Sequence, residues 1–177
     1  MAKRNKAVQI IILAATLLLG GIAIFPTLFE SSAVPTVGSS VPNIKLQELD
    51  GEVRSLSDLK GQAVILNFWG SWCEPCKREM PALSKAYEQW KEQGVEIIGI
   101  NYGEDELVVR NFAKQMGVTF PIWLDRKKTA SKEFGIRPLP TTFFINPEGK
   151  VHHIKLGEVT SEELDVLIKQ MISTKSS

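Results

Sequence analysis

Cysteine and histidine are scarce in this chain, with two of each among 177 residues. Two cysteines cannot build the disulfide framework that staples small secreted domains, so a disulfide here works rather than braces. A zinc site needs about four ligands. The chain has no second cysteine pair, and its histidines are the neighbours His152 and His153, read as ordinary strand residues, so no metal site is expected. An excess of either charge is also missing. Lys and Arg number 21 against 20 Asp and Glu, a net charge of +1, which leaves no basic field for nucleic acid. Arg126-Lys127-Lys128 is a short basic run of the kind found in a solvated turn. No internal repeat or low-complexity segment is present. What remains is 44% hydrophobic and 23% charged, the balance of a globular domain with a proper core.

The N-terminus departs from that balance. Lys3, Arg4 and Lys6 precede a charge-free stretch over residues 7–29 whose apolar part, 8–25, is interrupted only by Gln9, Thr16 and Gly20-Gly21. That length can span a bilayer as a helix. The positive residues before it are expected to stay in the cytoplasm, placing everything after it outside. Residues 1–29 are therefore expected to be a signal-anchor, with a removed signal peptide as the alternative because Ser31-x-Ala33 resembles a cleavage site. Either way the expected location is the cell membrane's extracytoplasmic side, single-pass if the anchor is retained. Residues 30–40, rich in Ser, Pro and Gly, read as a linker, and 41–177 as one domain.

Both cysteines fall in Asn67-Phe68-Trp69-Gly70-Ser71-Trp72-Cys73-Glu74-Pro75-Cys76-Lys77-Arg78-Glu79. Ala63-Val64-Ile65-Leu66 before it reads as a buried strand. Met80, Leu83, Ala86, Tyr87 and Trp90 after it recur at helical spacing. A helix is expected from about Cys73 to about Gln93, with Pro75 tolerated in its first turn and Pro81 kinking it. The pair thus sits where a strand hands over to a helix. Unpaired N–H groups and the helix dipole favour a negative sulfur there. The thiolate is the attacking species in disulfide exchange, and a second thiol one turn later can resolve the mixed disulfide. A structural bridge between these positions would close too small a loop to constrain the unfolded chain. Redox chemistry is the reading that uses all of these features.

The remaining elements follow in order. Residues 44–49 and 52–55 flank Asp50-Gly51, a hairpin signal. Residues 57–60 suggest one helical turn, and 95–101 a second buried strand reached by a parallel crossover. A helix over 104–116 carries Leu107, Val108, Phe112 and Met116 as its packed stripe. Ile122-Trp123-Leu124 is a short strand and 129–134 a short helix. Ile136-Arg137-Pro138-Leu139-Pro140-Thr141-Thr142 opens a strand ending at Ile145, and 150–156 returns antiparallel. Thr160-x-x-Glu163 resembles a capping box for a last helix over 161–172.

From about residue 41 to 172 these features resemble the thioredoxin superfamily, on Phe68-Trp69-x-x-Trp72-Cys73-x-x-Cys76 and on Leu139-Pro140-Thr141 downstream. Within it the chain resembles the membrane-anchored ResA/TlpA-like reductases, on the leading apolar segment, the hairpin, Glu74-Pro75 between the cysteines, the segment between Ile100 and Ile122, and Glu79. The resemblance implies an α/β thioredoxin-like fold, a central mixed sheet flanked by helices, with an N-terminal β-hairpin and a βα insertion, preceded by one transmembrane helix. It implies that Pro140 is cis and that the backbone at Leu139 binds an extended substrate as an added strand. Cys73 and Cys76 are then the catalytic pair, with Glu79 supplying acid–base function. Trp72, Glu74, Pro75, Leu139, Pro140 and Thr141 face the substrate. Thioredoxins carry a buried aspartate where this chain has Asn67, which cannot titrate, and that gives Glu79 its importance. The family reduces the disulfide of apocytochrome c haem-binding motifs before haem attachment. Its electrons come from a membrane thiol-transfer protein of the CcdA kind, and it needs no cofactor. The competing readings are a general extracytoplasmic thiol oxidase or reductase, and a thioredoxin-fold copper carrier, although copper carriers use a wider cysteine spacing and a downstream histidine.

Overall fold

A computed structural model of the chain describes residues 34–173 together with Ile12, Ala15 and Thr16. The expected membrane span otherwise lies outside the described residues. Among the described residues no helix is long and apolar enough to cross a membrane.

Seven strands form one sheet in the order β2-β1-β5-β4-β3-β6-β7. They are β1 (Lys45–Glu48), β2 (Val53–Ser55), β3 (Ala63–Trp69), β4 (Val95–Asn101), β5 (Ile122–Leu124), β6 (Thr141–Ile145) and β7 (Val151–Leu156). β3, β4 and β5 run parallel, β6 pairs antiparallel with β3, and β7 pairs antiparallel with β6, so that of these five β6 alone opposes the other four. The β1–β2 hairpin extends the sheet at β5, turning at Asp50-Gly51, where Gly51 takes a φ of 101°. Among residues 34–173 four helices accompany the sheet: α1 (Glu74–Trp90), α2 (Glu106–Met116), α3 (Thr129–Glu133) and α4 (Ser161–Ser173). Leu56–Leu59 is a 3-10 turn, as is Lys91–Gln93, which follows α1.

β3 is buried along its whole length, and its pleat divides the core. Ala63, Ile65 and Trp69 face α1, α2 and α4, where Met80, Leu83, Val109, Phe112, Leu164, Ile168 and Met171 pack. Val64, Leu66 and Phe68 face the opposite layer with Ile98, Ile100, Phe134, Ile136 and Phe143. Phe68 meets Phe143 and Phe134 with ring centroids 6.0 and 5.2 Å away. The same alternation turns Asn67 toward α1, and that places the polar group discussed below.

Several expectations need adjusting. α1 passes through Pro81 as one element and hands over to the 3-10 turn after Trp90. α2 starts at Glu106, capped by the Asp105 carboxylate on the Leu107 N–H, and the side it buries is Val109, Phe112 and Ala113. Leu107 and Val108 are exposed. The run Leu107-Val108-Val109 allows the stripe to be drawn two ways, and stacking of Phe112 on Trp69 at 5.0 Å selects one. Residues 34–40, within the expected linker, are held against the domain. Pro35 is buried, the Gly38 N–H donates to the Val151 carbonyl at 2.8 Å, and the Val151 N–H returns to Ser39 at 2.9 Å.

Candidate active site: a helix-capping disulfide with a buried carboxyl

Cys73 and Cys76 are joined by a disulfide, with Cα atoms 5.2 Å apart. Cys73 is the N-cap of α1. Its extended backbone lets the sulfur accept the Cys76 N–H at 3.3 Å. This is the geometry in which a helix N-terminus favours a thiolate, since an otherwise orphaned amide points at the sulfur. Cys73 is 6% exposed and Cys76 0%, so a partner can reach only the first sulfur. Pro75 lies in the first turn, where its missing N–H costs no helical bond. Trp72 stands 62% exposed beside the pair, its indole folded over Gly70. A Cβ on Gly70 would lie 2.9 Å from Trp72 Cε2, so the close approach requires glycine. Glu74 is exposed and ion-paired with Lys77, which holds its carboxyl below the ordinary range.

The proline loop reaches the same end of the sheet. Thr141 pairs with Phe68 across β6 and β3, so Leu139 and Pro140 arrive where β3 runs into Gly70. The Leu139–Pro140 peptide is cis, and so is Arg137–Pro138, which sequence reasoning did not anticipate. Leu139 packs against the cluster that contains both cysteines. The Pro140 carbonyl accepts the Gly157 N–H at 2.9 Å. Among the described residues no hydrogen bond reaches the Leu139 backbone, which leaves it available to an extended chain. Thr141 is 2% exposed and its hydroxyl donates to the Pro138 carbonyl at 2.7 Å. Its side chain therefore tightens the loop.

Glu79 lies three residues past Cys76 on α1, a spacing that stacks the two on one helix face. It is fully buried rather than a surface glutamate. Burial pushes its carboxyl up to about 7, opposed by two hydrogen bonds, from Asn67 Nδ2 at 2.7 Å and from the Val159 N–H at 3.0 Å. Asn67 Nδ2 also meets Thr142 Oγ1 at 2.9 Å, while Asn67 Oδ1 is buried without a partner. Asn67 and Thr142 sit opposite each other in the β3–β6 register, so the strands deliver both to the face that α1 covers. That alternation was available in the sequence as a sign that Asn67 turns toward α1. The Val159 amide had no such signal, because it comes from a loop distant in the chain. Among the described residues no three His, Cys, Asp or Glu side chains are grouped to hold a metal ion.

A helix-capping Cys-x-x-Cys disulfide, a cis-proline loop beside it and a mixed sheet covered by helices define a thioredoxin-fold thiol-disulfide oxidoreductase. The comparisons agree. A profile of the AhpC/TSA family matches residues 37–154. The thiol-disulfide oxidoreductase ResA of Bacillus subtilis is 43% identical over 158 residues, covering 89% of this chain and 88% of its own. Two solved structures superpose on most of the domain. A putative thiol:disulfide interchange protein DsbE from Chlorobium tepidum has a TM-score of 0.73 at 27% identity, covering 77% of this chain and 98% of its own. StoA from Bacillus subtilis has a TM-score of 0.65 at 35% identity, covering 73% and 99%. The chain belongs to the AhpC/TSA family and, within it, to the ResA-type thiol-disulfide oxidoreductases.

Proposed function

We propose that this oxidoreductase works as a reductase outside the cytoplasmic membrane, tethered by residues 1–29, and that its substrate is the disulfide of an apocytochrome c haem-binding motif. The observation that supports the roles of the two sulfurs is the pairing of one reachable sulfur, Cys73, with a buried Cys76 one turn before a carboxyl held near neutrality. In the reduced protein the Cys73 thiolate attacks one substrate sulfur. A Cys73–substrate disulfide forms, and the other substrate sulfur leaves as a thiolate that takes up a proton. Cys76 then gives its proton to the Glu79 carboxylate and attacks Cys73. The Cys73–Cys76 bond closes, and the second substrate sulfur departs as a thiolate that takes up a proton from solvent. The oxidised pair is returned to dithiol by a membrane thiol-transfer protein of the CcdA kind, whose own dithiol becomes a disulfide.

Several features support this reading. The cationic residues Lys3, Arg4 and Lys6 ahead of a charge-free stretch favour an extracytoplasmic domain. A carboxyl that titrates near neutrality is matched to taking a proton from a thiol at working pH. The unbonded Leu139 backbone suits a substrate chain lying across the loop, and Trp72, Pro75 and Glu74 border it on the helix side. The test is trapping with an oxidised peptide carrying the haem-binding Cys-x-x-Cys-His motif. The Cys76→Ser protein should accumulate a mixed disulfide, whereas Cys73→Ser should not; equal trapping by both would reverse the roles. Failure of the reduced wild-type protein to reduce this peptide, while it reduces insulin, would leave a general reductase. An equilibrium potential near that of strong oxidants would favour the oxidase reading instead.

A further inference from the structure

We propose that Glu104 is a positioning residue for disulfide exchange: it pins the loop that joins β3 to α1 and so sets how Cys73 and Trp72 meet a partner. The proposal rests on the exchange chemistry above and concerns a residue outside the Cys-x-x-Cys, Glu79 and cis-proline set. Glu104 lies just after β4, 33 positions along the chain from Ser71. Its Oε2 accepts the Ser71 N–H at 2.7 Å and Asn101 Nδ2 at 2.7 Å, and its Oε1 accepts the Ser71 hydroxyl. Its own N–H donates to Asn101 Oδ1 at 3.1 Å, and Asn101 is fully buried as the last residue of β4. The carboxylate is therefore held from behind by a rigid strand end while it grips the loop in front.

The loop has little else to fix it. Within it, the Cys73 N–H bonds to the Gly70 carbonyl at 3.1 Å. At its start, the Tyr102 N–H bonds to the Trp69 carbonyl at 2.8 Å, which closes the end of β3 onto β4. Ser71 lies between these points, and Glu104 takes both its backbone and its side-chain donor. The conformation matters downstream, because the Trp72 indole lies on Gly70 and Cys73 must present its sulfur in line with an incoming disulfide. A misplacement of about an ångström can cost a reaction as much as 100-fold.

Two conservative variants separate reach from charge. In Glu104→Gln the amide oxygen can take both N–H donors while the amide nitrogen donates to the Ser71 hydroxyl, so all three bonds survive. In Glu104→Asp the charge stays but the side chain is one methylene too short for Ser71. The measurement is kcat/KM for insulin reduction by the full chain, at a temperature where circular dichroism shows each protein folded, with the Trp72 share of the emission, obtained by subtracting the spectrum of a matched Trp72→Phe protein, as the report on the loop. Glu104→Gln should stay within about threefold of wild type. Glu104→Asp should fall roughly tenfold or more with altered emission, and Glu104→Ala at least as far. Wild-type turnover in Glu104→Asp would overturn the proposal, as would a Glu104→Gln protein as slow as Glu104→Asp. Insulin is the probe because its reduction does not depend on the substrate assigned above: loss of the apocytochrome peptide activity alone would remove that assignment and leave Glu104 in place.

Discussion

Replacing Glu79 by glutamine should make the domain more stable at alkaline pH and leave it nearly unchanged at acid pH. The carboxyl is buried, and burial raises its pKa from 4.5 to about 7. The folded state therefore keeps a proton, between those values, that the unfolded chain has released. The stability this proton carries is fully present below 4.5 and is lost as pH rises through 7. A shift of that size corresponds to about 3 kcal/mol at 1.36 kcal/mol per unit. Glutamine carries no such term. It also fits the site: its oxygen can take the Val159 N–H and its amide can donate to Asn67 Oδ1, which has no partner now. Asn67 need only turn its amide over. The assay is guanidinium unfolding of both proteins with the disulfide intact, from pH 4 to 8. Groups unaffected by the substitution cancel in the difference. The variant's advantage should grow from near zero at the acid end to about 3 kcal/mol at the alkaline end, or roughly 10 °C in Tm. A difference that stays constant with pH would refute a neutral, buried Glu79. In exchange assays the same variant should lose the rate increase that accompanies deprotonation near pH 7, because no carboxylate is left to take the Cys76 proton.

Two further substitutions probe the same neighbourhood. Asn67→Asp puts a second carboxyl beside Glu79 in place of an amide donor at 2.7 Å, and two such groups cannot both ionise there. It should destabilise the fold by about 2–4 kcal/mol at pH 8 and far less at pH 4, read from denaturation midpoints; a pH-independent loss would mean that packing, not charge, is responsible. Gly99→Ala would set a Cβ 2.8 Å from Trp69 Nε1 and 2.9 Å from Phe120 Cε2, both rings buried. A loss of about 1–3 kcal/mol is expected in chemical unfolding, and wild-type stability would show that the rings yield freely.

Much of this protein is set by local patterns, and local patterns can be read in a line of residues. The cysteine pair, the apolar run before it and the helical spacing after it place a sulfur at a helix tip, because capping and dipole act within one turn. The hairpin at Asp50-Gly51 and the reciprocal bonds between Thr160 and Glu163, at 3.0 and 3.2 Å, are equally short-range. Choices between equivalent local patterns were left to packing. Leu107-Val108-Val109 offers two stripes to the core, and only Trp69 stacking on Phe112 decides between them. That the Thr141 hydroxyl donates to the Pro138 carbonyl is likewise visible only once the loop has closed.

The protonation of Glu79 belongs to tertiary structure altogether. Sequence determined that an acid follows the cysteines by one turn and that Asn67 replaces the titratable group of related folds. It did not determine that the carboxyl is buried, because burial depends on Asn67 and Thr142 arriving from two paired strands and on a Val159 amide from 80 residues away. The Ser71–Glu104 clamp has the same origin. Hydrogen bonds between residues far apart in the chain exist only once the sheet has brought their strand ends together, and a one-dimensional pattern carries no record of that distance.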